Sequence, residues 1–541
     1  MFMHLMTFFY ITPAIIHDRR KYILESNTIQ ILIAMCIYMA TVFAIGLFFA
    51  KRANKNSEAY FLGGRSLGPW VAAMSAEASD MSGWLLMGLP GVAYWCGLAD
   101  AMWTAIGLAI GTYINWLIVA KRLRRYSVKS GNAITIPDFF SNRFKEKKKI
   151  IMTICAIFIL VFFCVYAASC LVTCGKLFST LFGAPYILMM IVGALFVLIY
   201  TVVGGFLAES ASDFMQAIIM ICALVLILVL GTNAAGGVSA VISNAQNMPG
   251  FFDLFGIATP TVVDGVQQVA NGAPVFGDAA PYGWLTIIST LSWGLGYFGM
   301  PQVLLRFMAI RKENELTKSR RIATVWCVIS LVAAVFIGLI GRMLFPTALT
   351  TASQAESIFI LMSTNLLPAL LAGFTMAGIL AATISSSDSY MLIAASAFAK
   401  NIYQGLFHKK ASEKNVMLVS RITLVVIALI AVVIALDEHS VIFTLVSFAW
   451  AGFGATFGPL MLFCLLWKRI NHAGAIAGMI GGGGMVFVWK LLLNPLGGVF
   501  GIYCLFPAFV FSCICIVVVS LLTKKPSEEI LREFEEVKAG I

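Results

Sequence analysis

Charged side chains are scarce in this sequence. Only 11% of its 541 residues are Asp, Glu, Lys or Arg and 60% are hydrophobic, whereas a soluble chain averages about 25% charged and about 45–50% apolar residues. This composition excludes an ordinary soluble enzyme. The mean hydropathy of +0.93 reflects many long apolar runs, and a run of about 20 residues crosses a bilayer as a helix that satisfies its own backbone hydrogen bonds. The sequence therefore predicts an all-α polytopic membrane protein.

Sequence patterns for metal binding, ATP hydrolysis and catalysis are also missing. The twelve cysteines lie almost wholly in apolar segments and form no Cys-x-x-Cys pair, which is typical of buried thiols. The five histidines form no HExxH pattern, and no Gly-x4-Gly-Lys-Ser/Thr loop is present. Neither a membrane Ser–His pair nor the paired aspartates of an intramembrane protease is visible. We therefore expect no cofactor, no zinc site and no enzyme activity.

The sequence does contain about thirteen apolar segments long enough to cross a membrane. We number these predicted spans in chain order, with boundaries uncertain by several residues. They are residues 28–50, 67–97, 101–120, 150–177, 185–206, 213–233, 282–309, 322–345, 367–400, 416–436, 440–467, 473–494 and 502–523.

The positions of the basic residues predict the orientation of these spans. The net charge is +12, and most Lys and Arg residues lie in the tail and in the loops after spans 1, 3, 7, 9 and 11, whereas loop 234–281 has none. Because basic loops remain in the cytoplasm, we expect a cytoplasmic C-terminus and an outer N-terminus. The basic segment 121–149 is interpreted as a contact with anionic membrane lipids, not with nucleic acid.

The two ends of the chain carry little further information. Arg19, Arg20 and Lys21 would lie on the outer side, so the N-terminal extension 1–27 is either an upstream segment that is not always made or a segment at the membrane surface. The cytoplasmic tail 526–541 is too short for a nucleotide-binding or signalling domain. This length disfavours a membrane sensor.

Glycine and proline interrupt two of the spans. Span 2 contains MSAEASDMSGWLLMGLPG (74–91), and span 7 contains SWGLGYFGMP (292–301). Each begins a block of five helices, so we expect inverted repeats over about 67–233 and 282–467. Broken helices free backbone carbonyls and half-helix ends, which can bind ions or a charged ligand.

Carboxylates inside these spans are candidate functional groups, because an ionised side chain in a membrane costs at least a few kcal/mol. Asp80 is the strongest candidate, since it lies in the interrupted part of span 2. Glu77 is open to three interpretations: a second ligand, a proton site or a vestibule carboxylate. Asp213 either guides cations or caps the start of span 6.

Span 9 and span 7 add hydroxyl and aromatic candidates. Ser385 and Ser386, beside Asp388 in AATISSSDSYM (381–391), supply hard oxygen ligands suited to sodium, although small residues also serve helix packing. Trp293 and Tyr297 are four residues apart and suit a small amino acid. Core or interface packing explains such aromatic pairs equally well.

At these motifs the sequence resembles the bacterial sodium/proline symporters of the sodium/solute symporter family. The resemblance runs from about residue 28 to 525, which is the expected transporter domain, and its motifs include YFLGGRSLGPW (60–70), ASDMSGWLLMGLPG (78–91), NAITIPDFF (132–140), SWGLGYFGMPQ (292–302) and FAWAGFGATFGP (448–459). It implies thirteen helices around a LeuT-like core of five plus five inverted helices. It also implies a secondary transporter in the bacterial inner membrane that imports L-proline with sodium by alternating access.

The resemblance further implies roles for individual residues. Sodium would bind the carbonyls of Ala78 and Met81 and the residues Ala382, Ser385 and Ser386, with Asp80 setting sodium affinity. Proline binding or its gating would involve Ser82, Gly83, Tyr166, Trp293, Tyr297 and Pro301. Asp213 would lie on the inner cation path and Arg65 would contribute to coupling. Glu77 and Asp388 depart from the expected pattern, which leaves ion stoichiometry and proton involvement open.

Rival functions are less consistent with these motifs. Another small carboxylate or amine is the nearest alternative substrate, because a fold does not fix a substrate. The pair of broken helices disfavours a channel.

Overall fold

The computed structural model describes residues 12–53 and 55–540, and helices dominate them. Helix α1 runs from Thr12 to Ala53 and includes predicted span 1. The N-terminal extension 1–27 therefore lies partly outside the described residues, and its later part belongs to the same helix as span 1.

The remaining helices follow the predicted order of apolar segments. They are α2 (Ser57–Leu62), α3 (Pro69–Gly83), α4 (Leu89–Cys96), α5 (Leu98–Ile118), α6 (Ala120–Lys129), α7 (Ile136–Arg143), α8 (Ile150–Phe182), α9 (Tyr186–Ala234), α10 (Val238–Gln246), α11 (Trp284–Leu291), α12 (Pro301–Ala309), α13 (Leu316–Leu344), α14 (Ala352–Ala355), α15 (Ile358–Leu366), α16 (Ala369–Ser396), α17 (Glu413–Ile434), α18 (Ile442–Leu466), α19 (His472–Val488), α20 (Leu505–Leu522) and α21 (Glu528–Ala539).

The long loop 234–281 contains α10 and three small two-stranded antiparallel sheets. Strand β1 (Gly256–Ile257) pairs with β6 (Ala280–Pro281), β2 (Val262–Val263) with β3 (Val266–Gln267), and β4 (Val269–Ala270) with β5 (Ala273–Pro274). From the sequence, this region was predicted only as a loop without basic residues.

Span 2 is broken where the sequence predicts it. Helix α3 ends at Gly83, and Ser82 leaves the helical conformation with φ 46° and ψ −170°. A π-helical turn, Trp84–Gly88, then leads into α4. A Cβ on Gly83 would lie 2.4 Å from Thr173 Cγ2, so glycine permits α8 to approach the break closely.

Span 7 is broken as well. Helix α11 passes into a 3-10 helix, Ser292–Phe298, and α12 then starts at Pro301. Met300 is extended, with φ −75° and ψ 109°, because the proline ring disfavours a helical conformation in the preceding residue. Proline suits the first helical position, where the missing N–H has no intrahelical acceptor anyway.

The broken helices lie in the interior of the helical array. Helix α3 packs against α9, α12, α13 and α16, and every residue from Ala72 to Gly83 is buried. Predicted spans 5 and 6 form the single helix α9, which kinks at Gly205 with φ 64°. These contacts bring the predicted ion and substrate residues into one region.

The number of membrane crossings stays a prediction. Within the described residues, ten helices are long and apolar enough to cross a membrane, and the apolar helix Tyr186–Val202 is shorter. The broken spans 2 and 7 are not among these ten helices, because each is divided into short helices.

Candidate functional site

A cluster of oxygen atoms joins α3 to α16. Ser385 Oγ donates to the Ala78 carbonyl at 2.8 Å, and Ser386 Oγ donates to the same oxygen at 3.3 Å. Ser385 Oγ also lies 3.2 Å from the Ala382 carbonyl. We call Ala78, Ala382, Ser385 and Ser386 the oxygen cluster. Two hydroxyls and two carbonyls are ligands that a hard cation accepts.

The break at Ser82 explains why carbonyls are accessible at this point. The last carbonyls of a helix lose their intrahelical donors where the backbone leaves the helix. Met81, a predicted sodium ligand, lies in this turn, but its carbonyl accepts the Trp84 N–H. A non-glycine residue with positive φ costs about 1–3 kcal/mol, so the packing around Ser82 sustains a strained backbone beside the oxygen cluster.

Asp80 contacts three other elements. Its carboxylate accepts a hydrogen bond from Gln302 Nε2 at 3.3 Å, which links α3 to α12. Its backbone carbonyl accepts from the hydroxyls of Tyr166 and Tyr390, both at 3.4 Å, and these two rings stack with centroids 4.2 Å apart. The Asp80 side chain therefore faces the other broken helix, while its carbonyl faces α8 and α16.

Aromatic rings pack around the breaks. Trp293 stacks on Trp84 with centroids 5.6 Å apart and on Tyr503 at 4.9 Å. Trp293 and Phe443 border a cavity of about 370 Å³ and lie 5.3 Å apart. The ring of Tyr297 meets Trp450 edge to face at 5.1 Å. Of these rings, Trp293, Phe443 and Tyr503 line the cavity. We call the group the aromatic lid; its members are Trp84, Trp293, Tyr297, Phe443, Trp450 and Tyr503.

The sequence analysis missed Trp84, Phe443 and Trp450 as members of this lid. Trp84 directly follows the predicted residues Ser82 and Gly83, and Trp450 lies in FAWAGFGATFGP (448–459). The positions of Trp84 and Trp450 in these motifs could have identified both as candidates. Pro301, the remaining predicted substrate residue, starts α12 and is buried.

A buried ionic network lies between α3, α9, α12 and α16. Arg306 Nη2 contacts Glu209 Oε1, Asp213 Oδ2 at 3.2 Å and Ser389 Oγ at 2.9 Å. Arg306 Nε donates to Ser75 Oγ at 3.0 Å, and Ser75 Oγ donates to Asp213 at 2.7 Å. We call Ser75, Glu209, Asp213, Arg306 and Ser389 the arginine network.

The sequence analysis assigned Asp213 but missed Arg306 and Glu209. Glu209 precedes Asp213 by four residues on the same helix face, and Arg306 is a charge within span 7. Both features were visible signals of an intramembrane ion pair. Their pairing across 97 residues of sequence depends on the tertiary structure.

The other two predicted carboxylates have few partners. Thr112 Oγ1 lies 3.5 Å from Glu77 Oε1, and Asp388 Oδ1 accepts the Ser389 N–H at 2.7 Å. The second oxygen of each carboxylate is buried without a hydrogen-bond partner among the described residues. None of these contacts joins Glu77 or Asp388 to the oxygen cluster.

Arg65 ties the loop after span 1 to other loops on the same face. Its guanidinium donates to the carbonyls of Met308 and Ala133, both at 2.7 Å, and to Asn132 Oδ1 at 3.1 Å. Burial, followed by the neighbouring Arg124, lowers the pKa of Arg65 to about 10. The residue therefore stays protonated at neutral pH and holds the end of α12.

Comparisons with known proteins can be set beside this geometry. Residues 60–482 match the sodium:solute symporter family. The osmoregulated proline transporter OpuE of Bacillus subtilis (strain 168) is 40% identical over 507 residues, covering 94% of this chain and 98% of that protein. A sodium/proline symporter of Staphylococcus aureus (strain USA300 / TCH1516) is 39% identical over 515 residues, covering 94% of this chain and 96% of that protein.

A solved structure shares the fold. The substrate-bound outward-open structure of a Na⁺-coupled sialic acid symporter matches with a TM-score of 0.73 at 18% identity, covering 92% of this chain and 99% of that chain. The likeness confirms the predicted fold class, an all-α polytopic membrane protein with a LeuT-like fold. At this identity it carries no information about individual ligands.

Proposed function

Because the chain belongs to the sodium:solute symporter family, we propose that it imports L-proline together with sodium by alternating access. It is a multi-pass membrane transporter and not an enzyme. The proposal is carried by the oxygen cluster at the break of α3, where Ser385 and Ser386 both reach the Ala78 carbonyl. Relatives that are named proline transporters and cover 94% of this chain support proline as the substrate.

Sodium binding would fix the broken part of α3. A cation at the oxygen cluster would replace the hydroxyl-to-carbonyl hydrogen bonds of Ser385 and Ser386 with ion–oxygen contacts and hold α3 against α16. Met81 would contribute its carbonyl by releasing the Trp84 N–H, and Asp80 would add negative charge in the same helical turn as Ala78. The same segment then presents Ser82 and Gly83 to the substrate.

Proline would bind between the two breaks, beneath the aromatic lid. The backbone of Ser82 and Gly83 suits the amino-acid head group, and the rings of Trp293 and Tyr297 suit the aliphatic ring. Tyr166 lies beside the same segment through its contact with the Asp80 carbonyl. Pro301 sets the start of α12, and movement there would open or close the substrate site.

The remaining candidates would act in coupling. Asp213 would receive cations on the inner path and Arg65 would hold the inner end of α12, while Glu77 and Asp388 are candidate ion-path carboxylates. We place the protein in the bacterial inner membrane, with a cytoplasmic C-terminus, because its basic loops would then face the cytoplasm.

Uptake of labelled proline into proteoliposomes tests this function. We expect accumulation with an inward sodium gradient and none with an equal potassium gradient or with an imposed proton gradient alone. Folded protein that takes up no proline under any gradient would refute the substrate assignment. A competition panel of small amines and carboxylates would then identify the alternative, and saturable counterflow would exclude a channel.

A further inference from the structure

The arginine network lies one helical turn from the oxygen cluster. On α3, Ser75 precedes Ala78 by three residues, and on α16, Ser389 follows Ser385 by four and donates to its carbonyl at 3.0 Å. Both steps lead toward the ends of the helices that join basic loops. One turn of helix is about 5.4 Å. An ion that leaves the oxygen cluster toward the basic face therefore meets the arginine network next.

Arg306 is fully buried in this position. One guanidinium nitrogen contacts both Glu209 and Asp213, and the group also lies over the Phe206 ring at 4.8 Å. Burying a charge without a partner is costly, so Arg306 needs these carboxylates in its buried position.

The two carboxylates have capacity for a second cation. Glu209 Oε2 and Asp213 Oδ1 are buried and have no hydrogen-bond partner among the described residues. One guanidinium charge therefore contacts two carboxylates, each with an unpaired oxygen, and the carboxylate of Asp388 acts on the same guanidinium without contacting it directly. A small cation can approach Asp213 from the side of its unpaired oxygen. The cation would then weaken the attraction between Asp213 and Arg306, because two positive charges in a low-dielectric site repel each other.

We propose that Arg306 is a resident cation of the inner ion path, which competes with sodium for Asp213 and Glu209. While the path is closed, the guanidinium occupies both carboxylates. When sodium passes, the ion takes Asp213 and Arg306 stays with Glu209. The guanidinium then returns and displaces the ion toward the cytoplasm. This inference rests on the proposed sodium coupling and adds Arg306 and Glu209 to it.

Opposite shifts in sodium affinity test the competition. Sodium binding to purified protein in nanodiscs, without proline, is measured with ²²Na⁺. Arg306→Gln removes the competitor, so we expect the half-saturating sodium concentration to fall by roughly three- to tenfold and turnover in proteoliposomes to fall as well.

Glu209→Gln leaves Arg306 with Asp213 alone, so we expect the half-saturating sodium concentration to rise by a similar factor. Arg306→Lys keeps the charge and is expected to bind sodium nearly as the wild type does. A roughly three- to tenfold change in the half-saturating sodium concentration is expected when one charge interaction is lost and neighbouring groups partly compensate for it.

Arg342 provides the matched control. It is also buried, but its partners are Gln267 Oε1 at 2.6 Å and the Pro346 carbonyl at 3.0 Å, away from the network. Arg342→Gln is expected to leave sodium affinity unchanged. A structural role alone would weaken sodium binding in both Arg306→Gln and Glu209→Gln, and that result would overturn the inference.

The proposed function fails in a distinguishable way. If the wild type binds no sodium, the sodium coupling itself is wrong and the competition falls with it. If the wild type binds sodium but Glu209→Gln binds it equally well, the coupling stands and only the inference is refuted. The comparison of sodium binding between the wild type and Glu209→Gln can still be made if Arg306→Gln does not fold.

Discussion

Asp80 is expected to influence the sodium ion without belonging to its immediate oxygen ligands. Its carboxylate faces Gln302, yet it lies in the same turn as Ala78. Replacing it in Asp80→Asn removes a buried negative charge. We expect the sodium concentration for half-maximal uptake to rise by roughly tenfold or more, since interactions with charged groups contribute about 1.5–3 kcal/mol.

The proline concentration for half-maximal uptake should change far less in this variant. Asp253→Asn, in loop 234–281, removes a carboxylate outside the site and provides the control. Unchanged sodium dependence in Asp80→Asn would remove Asp80 from the sodium site.

Trp293 separates substrate effects from ion effects. The side chain is only 4% exposed and stacks between Trp84 and Tyr503. Trp293→Ala is expected to raise half-saturating proline by roughly tenfold, because each aromatic contact contributes about 0.5–1.5 kcal/mol beyond burial. Trp284, which is 70% exposed, gives the control Trp284→Ala. A defect confined to sodium would contradict the assignment of Trp293 to the substrate site.

At the scale of the element, the break in α3 depends on the close approach of α8. A Cβ at position 83 would lie 2.4 Å from Thr173 Cγ2 and 2.5 Å from its Oγ1, so Gly83→Ala must displace α8 or the break itself. We expect folded protein with proline uptake reduced by at least about tenfold, as overpacking costs about 1–3 kcal/mol.

Gly484 offers a matched control for that substitution. It lies in α19, and a Cβ there meets no atom within 4 Å. Gly484→Ala should transport normally. Equal proline uptake by Gly83→Ala and Gly484→Ala would show that the close approach of α8 to α3 does not matter for transport.

The broken elements were predictable because glycine and proline determine backbone conformation locally. The glycines of 292–301 and Pro301 indicate the break of span 7 without tertiary information, and the serines of 385–389 indicate the side of α16 that carries oxygen ligands. Arg306 and Glu209 were not predicted as partners, since their contact joins α12 to α9. Likewise, the sequence gives no reason for Thr112 rather than another residue to approach Glu77. Local patterns therefore predicted the elements, and packing between distant elements decided which charges meet.

At the scale of the whole molecule, the arginine network and the aromatic lid lie on opposite sides of the breaks. Alternating access requires that the path through the arginine network and the path past the aromatic lid are never open at the same time. We expect sodium at the oxygen cluster and proline at the breaks to share the unwound part of α3. Any factor by which one ligand strengthens the binding of the other must then hold equally in the reverse direction.

The tail helix α21 connects separate loops on the basic face. Glu536 pairs with Lys129 at 3.0 Å, in a pair whose side chains are 41% and 35% exposed. Phe534, by contrast, is buried and lies under the Arg143 guanidinium at 5.5 Å. Exposed ion pairs contribute about 0–1 kcal/mol, whereas burial of a phenylalanine contributes about 1.5–3 kcal/mol. Apolar contact should therefore hold the tail more firmly than charge does.

Limited trypsin digestion tests which force holds the tail. The linker before α21 contains Lys524, whose carbonyl accepts from Asn471 Nδ2 at 2.7 Å. Because α21 begins only four residues later, at Glu528, a docked tail would restrain this cleavage site further. We expect Phe534→Ala to speed cleavage there by roughly tenfold or more, because the lost burial corresponds to at least about 1.4 kcal/mol. Glu536→Gln, or wild-type protein in high salt, should be cleaved at nearly the wild-type rate. Rapid cleavage in both of these cases would instead show that ion pairs hold the tail, and tail docking would then respond to ionic strength.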